Sequence, residues 1–391
     1  MPFDFDKPID HRNTNSSKWD GMEAYSGVSP DTGIAMWVAE MDFQSPPAVN
    51  ATLRKLADHG AHGYFGNPAP YYEAITGWMR RRHSWHVRPE WILTTQGLCN
   101  ALGMVIQTFS APGDGVIVFA PVYHAFYRLI EANERRVVES RLRLSDRRYE
   151  MDLAALEAKL DGSERIMLLC SPHNPGGRVW SVAELRAVAA FCKKHDILLV
   201  SDEVHHDLVF PGYHHTVMAN AAPDIADRLI MLTAPSKTFN LAGFETGQII
   251  VSDEALRARL RKTLQAANIG VSRIGAMATM AAYAYGEPWL RELITYLDEN
   301  RRMFDAGIDR IPGLKCMPMQ ATYLAWVDFS GTGMEPAEFT RRVEQDAKIT
   351  ASHGSAFGTG GESFLRFNIA TRRALIGDAL ERLEHAFADL Q

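Results

Sequence analysis

The sequence predicts an α/β protein. It has a large domain on a mostly parallel sheet with helices on both faces, and a smaller α/β domain built from both termini. Three observations carry this. From Trp91 onward, short apolar runs alternate with helix-length stretches, the pattern of parallel strands joined by crossover helices. After Ser252 strand signals fade, helical spacing takes over as far as Met303, and a second, shorter alternation follows. At 391 residues the chain is too long for one small domain.

The elements follow in order. Residues 1–45 lack sustained periodicity and read as an N-terminal arm that joins the small domain, with a short strand at Ala35–Val38. Pro46–His59 predicts a helix, since both prolines suit a first turn and Val49, Leu53 and Leu56 share a face. Tyr71–His83 is a second helix. Strands are expected at Trp91–Thr95, Gly115–Ala120, Arg165–Cys170, Ile197–Ser201, Leu229–Thr233 and Gln248–Val251. Helices are expected over Val122–Asn133 and Ser181–His195, the second opened by the capping box Ser181-Val-Ala-Glu184. Leu290, Leu293, Ile294 and Leu297 lie at helical spacing in a linking helix. Strands near Ala321–Val327 and Phe364–Ile369, with helices near Pro336–Gln345 and Arg373–Ala386, complete the small unit. The large domain therefore spans 46–285, and 286–391 forms the linking helix and small domain.

Composition excludes some partners. A net charge of −6 gives no electrostatic support to nucleic-acid binding. The start, MPFDFDKPID, has no apolar core of a signal peptide, and no apolar run is long enough to span a membrane. Cys99, Cys170, Cys192 and Cys316 lie far apart and mostly in apolar segments, so reduced thiols in a cytoplasmic protein are expected. The histidine pairs, such as His83/His86 and His205/His206, lack carboxylates or cysteines at familiar ligand spacing, so no metal site is expected.

In open α/β sheets, ligands bind beyond the carboxyl ends of the strands. Three strand ends here carry polar residues: Ser171-Pro-His-Asn174-Pro-Gly, Ser201-Asp202-Glu-Val-His205-His, and Thr233-Ala-Pro-Ser236-Lys237-Thr. Each has a plain structural reading: a turn, a helix cap, a surface lysine. Together they put an amide, a carboxylate and a lysine at one crevice. That set suits a cofactor aldehyde held as a Schiff base.

Asn174-Pro-Gly, Asp202-Glu-Val-His and Ser236-Lys-Thr-Phe-Asn-Leu-Ala-Gly243, with Phe364-Leu-Arg-Phe-Asn-Ile-Ala370, resemble the fold-type I pyridoxal 5'-phosphate (PLP) enzymes of the aspartate aminotransferase superfamily. The resemblance spans nearly the whole chain and implies a seven-stranded sheet in the large domain. It implies that Lys237 carries the cofactor and moves protons, that Asp202 pairs with the pyridine nitrogen, and that Asn174 donates to the phenolic oxygen. His205 stands where many relatives have a tyrosine for the same oxygen. Gly97 and Leu98 would offer N–H groups to the phosphate, with Thr233 or Ser236 and with Tyr64 from a neighbouring subunit, which implies a homodimer. Tyr123 would stack on the ring, and Arg366 would clamp the substrate α-carboxylate.

Further segments narrow the resemblance to the MalY/PatB-type cystathionine β-lyases: His11-Arg-Asn-Thr-Asn-Ser-Ser-Lys-Trp-Asp20, Met36-Trp-Val-Ala-Glu-Met-Asp-Phe43, the stretch from Asp202 to Gly212, and Gly354-Ser-Ala-Phe-Gly358. Glu40 stands where that branch usually has aspartate, on the substrate side. Glu245 stands where many aminotransferases have a phosphate-binding arginine; it must turn away, pair with a cation, or work differently. The implied reaction is β-elimination from L-cystathionine or a related cysteine S-conjugate, giving thiol, pyruvate and ammonia. The alternative on the same residues is amino transfer from an L-amino acid to a keto acid.

Overall fold

A computed structural model describes residues 3–390. Residues 1, 2 and 391, at the ends of the expected arm and small domain, lie outside it. The large sheet has seven strands: β1 (Ile92–Thr95), β2 (Gly115–Ala120), β3 (Arg136–Arg141), β4 (Glu164–Cys170), β5 (Leu198–Asp202), β6 (Leu229–Thr233) and β7 (Gly247–Ile250). Their spatial order is β3-β2-β4-β5-β6-β7-β1. All neighbours are parallel except β7, which runs antiparallel to both β6 and β1.

The near-continuous apolar runs explain the burial. Strands covered on both faces alternate their side chains between two cores. Phe119, Leu169, Leu199 and Met231 enter one core; Val118, Leu168, Val200 and Leu232 enter the other. Helix Gly97–Phe109 and the helix Ala125–Ala132 cover the second face. The capping box at Ser181 is formed, with Glu184 accepting from the Ser181 N–H at 2.8 Å.

Strand β3, with its exposed Arg136 and Arg141, was not expected. An edge strand is open to water and carries charges, so it lacks an apolar run. A second sheet has five strands in the order Ile34–Met36, Ile349–His353, Phe364–Asn368, Leu324–Asp328, Lys315–Cys316. Its first strand comes from the N-terminal arm and pairs in parallel with Ile349–Ala351. The helix Glu287–Ile308 leads from the large sheet to the small one. Among the described residues no helix is long and apolar enough to cross a membrane.

Candidate active site

Chain order reverses between β2 and β4: β2 is followed by β3 on one side, β4 by β5 on the other. Such a switch point leaves a crevice beyond the carboxyl ends. A cavity of about 240 Å³ lies there. Tyr123 follows β2, Asn174 follows β4, Asp202 ends β5, and Ser236 and Lys237 follow β6; all line it. Gln96, Gly97 and Leu98 reach it from the end of β1. Because β7 is antiparallel, the residues before it, Glu245 and Thr246, come to the same rim.

The alternation of side chains also decides what is left out. Asp202 shares the face of Val200 and Leu232, toward the cavity. Thr233 lies one residue beyond Leu232, so it points to the other face, where its hydroxyl meets His206 Nε2 at 3.2 Å. Its expected part in phosphate binding is therefore corrected: Thr233 is not at the cavity, and Ser236 is. In the turn that follows β5 the histidine pair is split, His205 lining the cavity and His206 facing away toward Thr233. Tyr64 does not reach this chain's cavity and is fully solvent-exposed. Glu40 lies on the small-sheet side, its carboxylate accepting from Ser16 Oγ at 3.3 Å.

A strap that sequence reasoning left without a role pins the site. Lys237 Nζ donates to the Ala39 carbonyl at 2.7 Å, and Tyr323 Oη donates to the same oxygen at 3.0 Å. Arg366 donates to the Trp37 carbonyl at 2.7 Å, to Ser352 Oγ at 3.0 Å and to Asn174 Oδ1 at 2.9 Å. Asn368 Nδ2 holds the carbonyls of Val38 and Glu40. The contacts are to backbone oxygens, which leave no mark on residue type. The resemblance of Met36–Phe43 was their one signal.

The electrostatics are those of groups awaiting ligands. Burial pushes the Asp202 carboxyl up to about 6, opposed by the Val204 N–H, which donates to Asp202 Oδ1 at 3.2 Å. Burial, then the Arg366 charge, lowers the Lys237 amine. Burial lowers Arg366 to about 10. Arg366 is 2% exposed, yet among the described residues every partner of its guanidinium is neutral and its Nε has none. A buried cation ordinarily has a carboxylate beside it. Here the position is open to an incoming anion. His205 is buried, held far below the usual imidazole range by burial, and its Nδ1 has no partner.

Gly97, at φ 77°, opens the helix Gly97–Phe109 in a conformation that favours glycine. The first N–H groups of a helix have no intrahelical partner and attract phosphate. Glu245 has no cation within ion-pair distance among the described residues and is exposed at the rim. An anion-binding helix end, an unpaired carboxylate, an orphaned imidazole nitrogen and a lysine fit PLP. On the opposite face of the sheet, His83, His206 and Asp207 hold possible ligand atoms within 4.8 Å of one another. The two rings stack at 4.0 Å and 29°, and both Nε2 atoms face the Asp207 carboxylate, His83 at 2.9 Å and His206 at 3.4 Å, so the imidazoles already have that carboxylate as a partner.

Known proteins share this fold. The model of the family "aminotransferase class I and II" matches residues 34–383. Cystathionine β-lyase PatB of Bacillus subtilis is 39% identical over 387 residues, covering 98% of this chain and 100% of that protein. The crystal structure of cystalysin from Treponema denticola, which contains pyridoxal 5'-phosphate, superposes with a TM-score of 0.95 at 35% identity over 100% of both chains. The PLP-bound C–S lyase from Staphylococcus hominis, with L-cycloserine, superposes with a TM-score of 0.91 at 30% identity over 98% of each chain. With nearly the whole length matched and the strand-end residues gathered in one cavity, the chain belongs to the class I and II aminotransferase family.

Proposed function

We propose that this protein is a PLP-dependent carbon–sulfur β-lyase that cleaves L-cystathionine or a related cysteine S-conjugate to a thiol, pyruvate and ammonia. One observation carries the reading: a single cavity holds a lysine of lowered basicity and a buried carboxylate, and its Asn174 is held by the buried guanidinium of Arg366, which has no carboxylate partner among the described residues. The names of the relatives direct that cavity to C–S cleavage.

Lys237 is the residue that would hold the cofactor's aldehyde. Asp202 would face its pyridine nitrogen, Asn174 and His205 its phenolic oxygen, and Tyr123 its ring. Gly97, Leu98 and Ser236 would hold the phosphate, with Tyr64 of the partner subunit. When bound, the cofactor supplies an electron sink for the pair left at the substrate's Cα. Arg366 binds the α-carboxylate and thereby fixes Cα, with Asn174, Glu40 and the partner subunit's Tyr64 on the substrate side. Lys237 Nζ takes the proton from Cα. Its burial and the nearby Arg366 charge favour the neutral amine, the form able to do so. A thiol of ordinary pKa, about 8.5, leaves as a thiolate without needing an acid. The full exposure of Tyr64 supports a homodimer with shared sites. The small sheet and the helix from Glu287 support division of the chain near residues 45 and 285. Four free cysteines support a cytoplasmic location.

The test is a panel of L-cystathionine and other cysteine S-conjugates given to the PLP-loaded protein. Pyruvate and thiol are expected in equal amounts. No elimination across the panel, together with rapid amino transfer to a keto acid, would reject the lyase and leave the aminotransferase.

A further inference from the structure

We propose that Tyr127, Glu139 and Gly358 form a latch between the two sheets that positions Arg366 for the substrate carboxylate. The inference rests on the reading of Arg366 as the carboxylate clamp. Arg366 lies on the small sheet, in Phe364–Asn368, whereas Asn174, which it touches, follows β4 of the large sheet. The geometry of the clamp thus depends on how the two sheets are held together.

The loop between Ile349–His353 and Phe364–Asn368 crosses to the large sheet. Its Phe357 carbonyl accepts from the Val122 N–H at 2.8 Å. Its Thr359 donates through both N–H and hydroxyl to the carboxylate of Glu139, on the edge strand β3. Tyr127 Oη lies 2.8 Å from Glu139 Oε1 and 3.1 Å from the Phe357 carbonyl. A phenol has one proton, and the shorter contact, to the charged oxygen, takes it. Glu139 therefore ties the loop, the edge strand and the helix of Tyr127 together.

Gly358 makes the approach possible. Its φ is 94°, and a Cβ there would lie 1.9 Å from Tyr127 Oη and 2.6 Å from Glu139 Oε1. Any side chain would push the loop off the large sheet.

The loop also carries Phe357, whose ring faces the Arg366 guanidinium at 4.9 Å. That ring is wedged edge-on against Trp326, with centroids 5.2 Å apart. Arg366 is thus bounded by neutral oxygens and by this aromatic face. A cation over a ring is held by the ring's quadrupole. Release of the latch shifts the face against which the guanidinium is set, and a two-pronged contact with a carboxylate is sensitive to such a shift.

The test is binding to the PLP-loaded protein, read from cofactor absorbance, of L-alanine and of L-alaninamide, which lacks the carboxylate. The unaltered protein prefers L-alanine. Tyr127→Phe and Glu139→Ala each lower that preference about five- to tenfold, the loss expected for one well-placed hydrogen bond. General loosening would weaken both ligands alike, so the ratio isolates the clamp. A preference that stays within about twofold of the original in both variants overturns the latch. An unaltered protein with no preference for L-alanine overturns the clamp beneath it.

Discussion

Asp202 offers the sharpest test of the site's electrostatics. Its carboxyl lies at about 6 in the cofactor-free chain, against 3.8 ordinarily, and burial is the main cause. The difference is roughly two pH units, each worth about 1.4 kcal/mol, so about 3 kcal/mol. A raised folded-state value means that the folded chain binds the proton more tightly than the unfolded one. Between pH 4 and pH 6 the folded state holds a proton that the unfolded state has lost, so stability falls as pH rises through that window. Asp202→Asn has no proton to lose there. The assay is thermal unfolding of both cofactor-free proteins from pH 4 to 7.5. The midpoint of the unaltered protein should fall, relative to Asp202→Asn, by several degrees up to about pH 6, and then stay level. A midpoint difference constant across the range would refute the buried-carboxylate reasoning. The cofactor should reverse the trend. A positive ring nitrogen opposite Asp202 favours the carboxylate, so PLP binding should strengthen as pH rises from 5 to 7.

Further outcomes follow from the same geometry. Lys237→Ala should abolish the borohydride-reducible pyridoxyl adduct at residue 237 and lower kcat by about three orders of magnitude or more, as expected when a nucleophile and base is lost; peptide mapping after reduction checks it. Arg366→Met should raise KM for the amino acid about 10- to 100-fold, the worth of hydrogen bonds to a charged group, with a smaller change in kcat. Tyr64→Phe should weaken PLP binding about tenfold, and unchanged affinity would contradict its role at the partner subunit's site. Gly97→Ala forces a Cβ onto a φ of 77° and should cost about 1–2 kcal/mol, lowering both the unfolding midpoint and PLP affinity.

Much of the fold was legible before the structure. β2 and β6 fall on the expected residues, because strands buried on both faces must be apolar throughout. The edge strand β3, the hairpin Arg143–Glu150 and the strand Ile349–His353 were not found. β3 and the hairpin are solvated, short or charged, and Ile349-Thr-Ala-Ser-His is too mixed to stand out from a loop.

Lys237, Asp202 and Asn174 were singled out because each ends or follows a strand whose carboxyl end opens on one crevice, and strand ends are local features of sequence; Tyr123, Gly97 and Ser236 were added by the family resemblance. Thr233 shows the limit of that reasoning. It too sits at a strand end, but the two-residue period turns it to the far face.

What the chain alone determined was therefore the order of strands and helices and the polar residues at the strand ends, since both depend on near neighbours. The tertiary structure decided the rest: the strap whose carbonyls hold Lys237 and Arg366, the absence of a carboxylate beside Arg366 among the described residues, and the closeness of Gly358 to Tyr127. These join residues up to 329 positions apart, and several run through backbone atoms. Backbone atoms are the same in every residue, so no pattern of side chains can announce them.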